Sequence, residues 1–182
     1  MGLWVFGYGS LLWNPGFPFT ETKLARLDGY RRSFCMSSIH HRGTVENPGL
    51  VLALDKVKGA VCNGLAFHVS EDDTAQTLAY LRERELISSA YVEVTETLMD
   101  TRGRTFEAVA YIIDQNHEQY CADLSLERQA TIIANAVGGR GHNAEYLHNT
   151  VEKLKALGIS DTDLTWLDKE VRRIMGAYLD SR

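Results

Sequence analysis

The chain has 182 residues, of which 45% are hydrophobic and 24% are charged. These values are typical of globular proteins and exclude collagen-like sequence, a coiled coil and a disordered chain. Lys and Arg number 19 against 24 Asp and Glu, for a formal net charge of −5, which argues against a broad basic face for nucleic acid. At about 150 residues per domain, the length predicts one domain spanning residues 1–182.

The cysteine content and the lengths of the apolar segments indicate in which cellular compartment the protein resides. Cys35, Cys62 and Cys121 form an odd set without CxxC spacing, which argues against a disulfide framework and a tetrahedral zinc site. The apolar start at residues 3–6 lacks a preceding Lys or Arg and is interrupted by glycine, unlike a signal peptide. No run approaches the roughly 20 apolar residues that span a bilayer. We therefore predict a soluble, cytoplasmic protein with buried structural thiols and no membrane partner.

Most of the first two thirds of the chain is predicted to form strands. Apolar, aromatic and β-branched residues concentrate in six segments, residues 3–8, 30–39, 50–57, 60–69, 91–99 and 106–113. Lys58-Gly59 predicts a hairpin turn between the third and fourth segments, and residues 100–103 predict another between the last two. Such sequential hairpins favour an antiparallel sheet.

Four helices interrupt or follow these strands. Ser70 and Ser125 are good N-cap residues, Gly138-Gly139 and Gly158 are stop signals, and Asp161 opens the last helix. The predicted helices cover residues 71–86, about 126–137, 143–157 and about 161–179. Strands followed by helices favour an α+β fold over a doubly wound α/β fold.

One carboxylate lies on the apolar side of the first helix. At about 100° per residue, Glu85 falls between two leucines of the apolar stripe, whereas Glu83 points toward solvent. Burying an unpaired charge is costly, so Glu85 needs either a partner or a function. Its place in the last helical turn and its desolvation both favour the protonated form, which suits a general acid/base. A structural ion pair with Arg82 or Arg84 is the alternative interpretation.

The loop after the first strand, Gly7-Tyr8-Gly9-Ser10-Leu11, carries two glycines. Glycines allow successive backbone N–H groups to point into one concavity, which suits a carboxylate or an oxyanion, and Ser10 adds a hydroxyl. A simple strand-terminating turn is the alternative, since a bare GxG is a weak signal. The segment is neither the dinucleotide fingerprint nor the hydrolase elbow, because the GxGxxG and G-x-S-x-G patterns are not completed.

Two further polar segments lie at residues 40–43 and 138–143. His40 and His41 are adjacent on an extended segment and point opposite ways, which argues against a shared metal ion. Arg42 is able to hold a carboxylate bidentately, or else is a surface arginine before the Pro48-Gly49 turn. The glycines at residues 138–141 join two helices and lack GK[ST], which favours helix capping over phosphate binding, with Asn143 as the cap of the next helix.

Together these motifs resemble the ChaC-type γ-glutamylcyclotransferases. The similarity covers most of the chain in the family's order. It rests on Val5-Phe6-Gly7-Tyr8-Gly9-Ser10-Leu11-Leu12-Trp13, Arg31-Arg32-Ser33-Phe34, His41-Arg42-Gly43-Thr44, Pro48-Gly49-Leu50, Tyr80-Leu81 with Arg84-Glu85, and Gly141-His142-Asn143 with Glu145-Tyr146-Leu147.

The resemblance implies a small mixed, largely antiparallel β-barrel surrounded by helices. It also implies that the loop after the first strand binds the γ-glutamyl group, and that Glu85, which follows an arginine at a helix end, is the acid/base residue. The residues expected to bind substrate are Tyr8, Gly9, Ser10 and Leu11, with Arg42, Tyr91, Asn143 and Tyr146 as candidates for lining the pocket.

The activity implied by this resemblance is cleavage of glutathione to 5-oxoproline and Cys-Gly by attack of the α-amine on the γ-carbonyl. It implies no metal, nucleotide or redox cofactor, and a small-molecule substrate as the partner. We expect a monomer or a weak dimer. The alternatives are a cyclotransferase for other γ-glutamyl amines or amino acids, and a non-catalytic ligand-binding regulator linked to cation transport.

Overall fold

The computed structural model describes residues 2–87 and 89–180. The elements, in chain order, are β1 (Leu3–Gly7), a 3₁₀ turn (Ser10–Leu12), β2 (Glu21–Ser38), β3 (Gly49–Val69), α1 (Glu71–Glu85), β4 (Tyr91–Asp100), β5 (Thr105–Ile113), α2 (Leu126–Asn135), β6 (Val137–Gly138), β7 (Gly141–His142), α3 (Asn143–Ala156) and α4 (Thr162–Asp180). Among the helices it describes, none is long and apolar enough to cross a bilayer.

Five strands close into a barrel in the order β1-β3-β2-β4-β5. Strand β1 runs antiparallel to β3 and parallel to β5, and Val5 lies opposite Phe67 on one side and Val109 on the other. Strands β4 and β5 form the predicted hairpin, with Val94 opposite Ala110. The mixed, largely antiparallel barrel confirms the α+β fold class.

The chain divides into two compact units, each with its own buried core. The first holds residues up to Ser33 together with Ala53–Glu118, and the second holds Phe34–Leu52 and the residues from Gln119 onward. The largest fully buried side chains of the first unit are Phe6, Leu12, Leu27, Leu54, Leu81, Leu98 and Tyr111. Those of the second unit are Phe34, Leu50, Leu52, Ile133 and Leu147. Within the second unit, α4 packs against α2 and α3.

The predicted hairpin turn at Lys58-Gly59 is wrong, because β3 continues through it from Gly49 to Val69. Gly59 has a φ of +81° and Gly29 of the neighbouring strand β2 has a φ of +83°. Glycine adopts this conformation without steric cost, and inside a strand it is typical of a bulge or bend. Gly59 therefore lies inside one long strand and does not join two strands.

The predicted N-caps are confirmed for α1 and α2, whereas α3 begins at Asn143 as predicted but has a different N-cap. The hydroxyls of Ser70 and Ser125 accept hydrogen bonds from the third residue of each helix. The N-cap of α3 is His142, whose side chain makes no capping bond. The prediction that Asn143 caps this helix is wrong, because its side chain bonds to the backbone of β3 instead. Gly138 lies in the short β6–β7 pair, three residues after the end of α2.

The prediction of buried thiols is confirmed for Cys35 and Cys62 and is wrong for Cys121, which is only partly buried; all three are free. Burial raises the pKa of the partly exposed Cys121 thiol to about 11.

Only the thiolate attacks a disulfide reagent, so we expect Cys121 to react about a hundredfold more slowly in the native protein at pH 8 than in guanidinium. Its native rate should rise about tenfold per pH unit toward pH 10. Absorbance of the released reagent measures both rates, and the Cys121→Ala variant assigns them; equal native and denatured rates would contradict the expectation.

Candidate active site

The candidate site starts where β1 leaves the barrel. Gly7 ends the strand, and a Cβ there would lie 2.8 Å from the Phe67 ring and 3.3 Å from the Cβ of Leu11. Only glycine allows the chain to pass this close to both side chains. The loop then closes into the 3₁₀ turn, whose first bond runs from the Leu12 N–H to the Gly9 carbonyl at 3.0 Å.

Tyr8 is held at both its side chain and its backbone. Its hydroxyl donates to the carbonyl of Tyr111 at 2.9 Å, and its own carbonyl accepts a bond from Arg32 Nη1 at 2.9 Å. The Arg32 guanidinium is buried and also donates to the Asn63 carbonyl at 3.0 Å. The loop that is expected to bind substrate is thus anchored by barrel residues.

Glu85 is the last residue of α1, and its side chain is only 16% exposed. Glu83, two residues earlier, is exposed. The helical-wheel prediction that Glu85 faces inward and Glu83 faces solvent is therefore confirmed.

Arg84 connects this carboxylate to the loop after β1. Its Nε lies 3.2 Å from Glu85 Oε1, and its Nη2 donates to Ser10 Oγ at 2.9 Å. The Arg84 side chain is only 6% exposed. Its Nη1 donates to three further oxygens, the carbonyls of Asn14 and Pro15 and the hydroxyl of Tyr80. The ion pair considered as an alternative does form, and it places the carboxylate beside the candidate binding loop; Arg82 pairs with Glu93 instead.

The Glu85 carboxylate is largely buried in the last turn of α1, and the Arg84 guanidinium lies beside it. The pKa of Tyr111 is held well above its usual value, first by burial, then by its hydrogen bond to Glu93 and by the charges of Glu93 and Glu85. The Tyr111 phenol therefore stays protonated.

A second cluster, in the second unit, is built on Asn143 and Tyr146. Asn143 is fully buried, and its side chain accepts a bond from the Leu50 N–H and donates to the Leu50 carbonyl, both at 2.7 Å. The Tyr146 hydroxyl accepts a bond from the Leu52 N–H at 3.2 Å. Both side chains therefore satisfy backbone groups of β3.

Arg42 belongs to this second cluster. It is 7% exposed, so the interpretation as a surface arginine is wrong. Its Nη1 donates to the His142 carbonyl at 3.0 Å and lies 3.5 Å from a carboxylate oxygen of Glu145. Burial lowers the pKa of Arg42, and the charge of Glu145 opposes that shift.

The structure thus groups the predicted site residues in two sets. Tyr8, Gly9, Ser10, Leu11, Glu85 and the half-buried Tyr91 lie in the first unit, and Arg42, Asn143 and Tyr146 lie in the second. That these residues bind substrate stays a prediction. Across the described ranges, no group of three His, Cys, Asp or Glu side chains is placed to hold a metal ion.

Sequence reasoning assigned no role to Arg32, and it named Arg84 only as a possible ion-pair partner of Glu85. Arg32 had a usable signal, because it shares the inward face of β2 with Tyr30 and Phe34, and a charge at that period-two position is unusual. The contacts of Arg84 with the loop after β1 had no local signal, since those partners lie some 70 residues away.

The chain is similar in sequence to known proteins along most of its length. A family model described as ChaC-like protein matches residues 3–174. A glutathione-specific gamma-glutamylcyclotransferase of Escherichia coli is 37% identical over 173 residues, covering 95% of this chain and 74% of that protein. Gamma-glutamylcyclotransferase 2-3 of Arabidopsis thaliana is 35% identical, covering 96% and 91%. A human glutathione-specific gamma-glutamylcyclotransferase 1 is 32% identical, covering 86% and 71%.

Among solved structures, a yeast gamma-glutamyl cyclotransferase specific to glutathione superposes with a TM-score of 0.85 at 23% identity. The alignment covers 94% of this chain and 96% of the yeast chain. A further structure, a gamma-glutamyl cyclotransferase, gives a TM-score of 0.59 at 15% identity. These similarities show a shared fold.

Proposed function

Because the chain belongs to the ChaC-like protein family, we propose that it cleaves glutathione to 5-oxoproline and Cys-Gly, with Glu85 as the general acid/base. It is a γ-glutamylcyclotransferase, an enzyme of the carbon–nitrogen lyase class. The observation that carries this function is the similarity along most of both chains to proteins named glutathione-specific. The geometry around Glu85 supports the assignment of the residue.

In the first step, the Glu85 carboxylate removes a proton from the α-ammonium of the substrate. The freed amine attacks the γ-carbonyl carbon of the same molecule and closes a five-membered ring. Reacting groups held in one molecule reach effective concentrations of about 10⁵ M or more, so the reaction needs no protein nucleophile. Support for this step comes from the Arg84 guanidinium, which lies 3.2 Å from the carboxylate that accepts the proton.

In the second step, the bond between the γ-carbon and the cysteinyl nitrogen breaks. The α-nitrogen starts with three protons and keeps one in the 5-oxoproline ring. The cysteinyl nitrogen starts with one proton and leaves as an ammonium with three. Two protons therefore pass from one nitrogen to the other, and Glu85 accepts and returns them one at a time.

The loop after β1 supplies the binding groups. Backbone N–H groups of residues 8–11 hold the substrate α-carboxylate, and the Ser10 hydroxyl and Tyr8 help to shape the pocket. Support comes from the anchoring of this loop by Arg32 and Arg84. We further propose Arg42, Tyr91, Asn143 and Tyr146 as second-rank candidates for substrate binding.

Three further proposals concern the whole chain. We propose a cytoplasmic location, which its three free thiols support. We propose a monomer or a weak dimer, since the sequence has no heptad pattern. Residues 1–182 are proposed to act as one domain, because β2 and β3 each continue from residues of one unit into residues of the other.

A substrate panel tests the proposed function. Purified protein is incubated with glutathione, oxidised glutathione and γ-glutamyl-alanine, and released 5-oxoproline is measured by chromatography. We expect kcat/KM for glutathione to exceed the other two by at least tenfold. Equal or faster turnover of γ-glutamyl-alanine would indicate a cyclotransferase of different specificity. Binding of glutathione without product would indicate a regulator rather than an enzyme.

A further inference from the structure

Arg32 is a buried charge in the wall of the barrel. It lies in β2 between two residues of the inward face, Tyr30 and Phe34, and only 9% of it is exposed. Desolvating a guanidinium is costly, so the contacts of the Arg32 side chain indicate its role in the protein. Two of them are backbone carbonyls, those of Tyr8 and Asn63.

The bond to Tyr8 sets the direction of the next amide. In a planar trans peptide, the C=O and the N–H of one unit point in opposite directions. The bond of 2.9 Å from Arg32 Nη1 to the Tyr8 carbonyl therefore turns the N–H of Gly9 away from Arg32. A cation at the carbonyl oxygen also polarises the peptide, which makes that N–H a stronger donor.

The Gly9 amide is in turn an unused donor. Gly9 is buried, and among the described residues no protein acceptor takes a hydrogen bond from its N–H, whereas its carbonyl accepts the bond from Leu12. Buried backbone N–H groups are almost always paired, so an unpaired one points to a ligand acceptor.

The peptide also has little freedom to turn. A Cβ at Gly64 would lie 2.5 Å from the Gly7 carbonyl, so the strands on either side of the loop's start are in close contact. Ser10, on the far side of Gly9, is held by Arg84 at 2.9 Å. The residues on both sides of Gly9 are therefore held by hydrogen bonds, Tyr8 by Arg32 and Ser10 by Arg84.

From these observations we propose that Arg32 is a positioning residue that orients and polarises the Tyr8–Gly9 peptide so that the Gly9 N–H binds the α-carboxylate of the substrate. The proposal rests on the proposed function, since that function supplies the carboxylate. Arg32 acts through the peptide and does not touch the substrate. The substrate carboxylate carries the same charge in the ground state and in the transition state. Removing Arg32 should therefore raise KM and leave kcat nearly unchanged.

The test compares Arg32→Met and Arg32→Lys with the parent. We expect Arg32→Met to raise KM for glutathione at least tenfold with kcat within threefold of the parent. Arg32→Lys keeps the positive charge, and its KM should lie between those of the parent and Arg32→Met. Arg26→Met is the matched control, since Arg26 is an exposed arginine of the same strand paired with Asp28, and its KM should stay within twofold. An unchanged KM in a folded Arg32→Met protein would overturn the proposal.

A second substrate isolates the carboxylate. 4-Aminobutyryl-cysteinylglycine lacks only the α-carboxylate of glutathione, so the Arg32→Met substitution should change its kcat/KM by less than threefold. An equal loss on both substrates would assign a general structural role to Arg32 and overturn the proposal. Calorimetric binding of 5-oxoproline, which keeps the carboxylate, should weaken at least tenfold in Arg32→Met. A parent protein that binds 5-oxoproline but does not cleave glutathione would reject the proposed function and leave the Arg32 comparison intact.

Discussion

The Glu85→Gln variant is expected to release 5-oxoproline from glutathione about a thousandfold more slowly than the parent, since a positioned acid/base group contributes about 10² to 10⁴ in rate. The amide has the shape of the carboxylate but accepts no proton at neutral pH. The loss should therefore fall on kcat, with KM within threefold, because the loop after β1 still binds the substrate. Chromatographic product release at saturating glutathione measures the effect.

Glu83→Gln is the internal control for this variant. It makes the same chemical change two residues away on the exposed face of α1, and its kcat should stay within twofold of the parent. Both variants should keep the parent melting profile. Turnover of Glu85→Gln within tenfold of the parent would mean that another residue is the base.

The Asn143→Ala variant is expected to lose about 2–5 kcal/mol of unfolding free energy, because it leaves two buried backbone groups without partners. The Asn143 side chain accepts from the Leu50 N–H and donates to the Leu50 carbonyl, both at 2.7 Å and away from solvent. Because these Leu50 backbone groups are buried, hydrogen bonds to bulk water do not replace the lost bonds. Guanidinium unfolding followed by circular dichroism measures the loss as a shift of the midpoint at constant slope.

Asn135→Ala provides the comparison. Asn135 is the exposed last residue of α2, where its side chain donates to the Thr131 carbonyl, and its loss should cost less than about 1 kcal/mol. The pair also separates two roles of Asn143. A structural role lowers stability and leaves KM for glutathione unchanged in the folded protein. A stability change below 1 kcal/mol with a raised KM would instead make Asn143 a substrate-binding residue.

Local signals predicted the elements whose cause is local. The hydroxyls of Ser70 and Ser125 cap α1 and α2 as expected, because an N-cap bond spans only three residues. The inward face of Glu85 followed from helical geometry, which a wheel reproduces without tertiary contacts. The hairpin of β4 and β5 likewise needed only two alternating strands and the turn between them.

Two local signals had more than one structural meaning. A glycine with positive φ occurs both in tight turns and inside strands, and Gly59 lies inside β3. Asparagine at the start of a helix serves as a cap or bonds elsewhere. Asn143 bonds to Leu50, which lies 93 residues away in the sequence, so no window around α3 contains its partner.

The sequence by itself determined the class of fold, the family motifs and the choice of Glu85 over Glu83, because periodicity and caps act within a few residues. Only the tertiary structure decided which groups surround that carboxylate. Arg84 reaches Ser10 across 74 positions of the chain, and Arg32 reaches the Tyr8 carbonyl across 24. Such bonds form because barrel closure brings distant strands and loops together, and their direction depends on backbone geometry that no short segment of the sequence specifies.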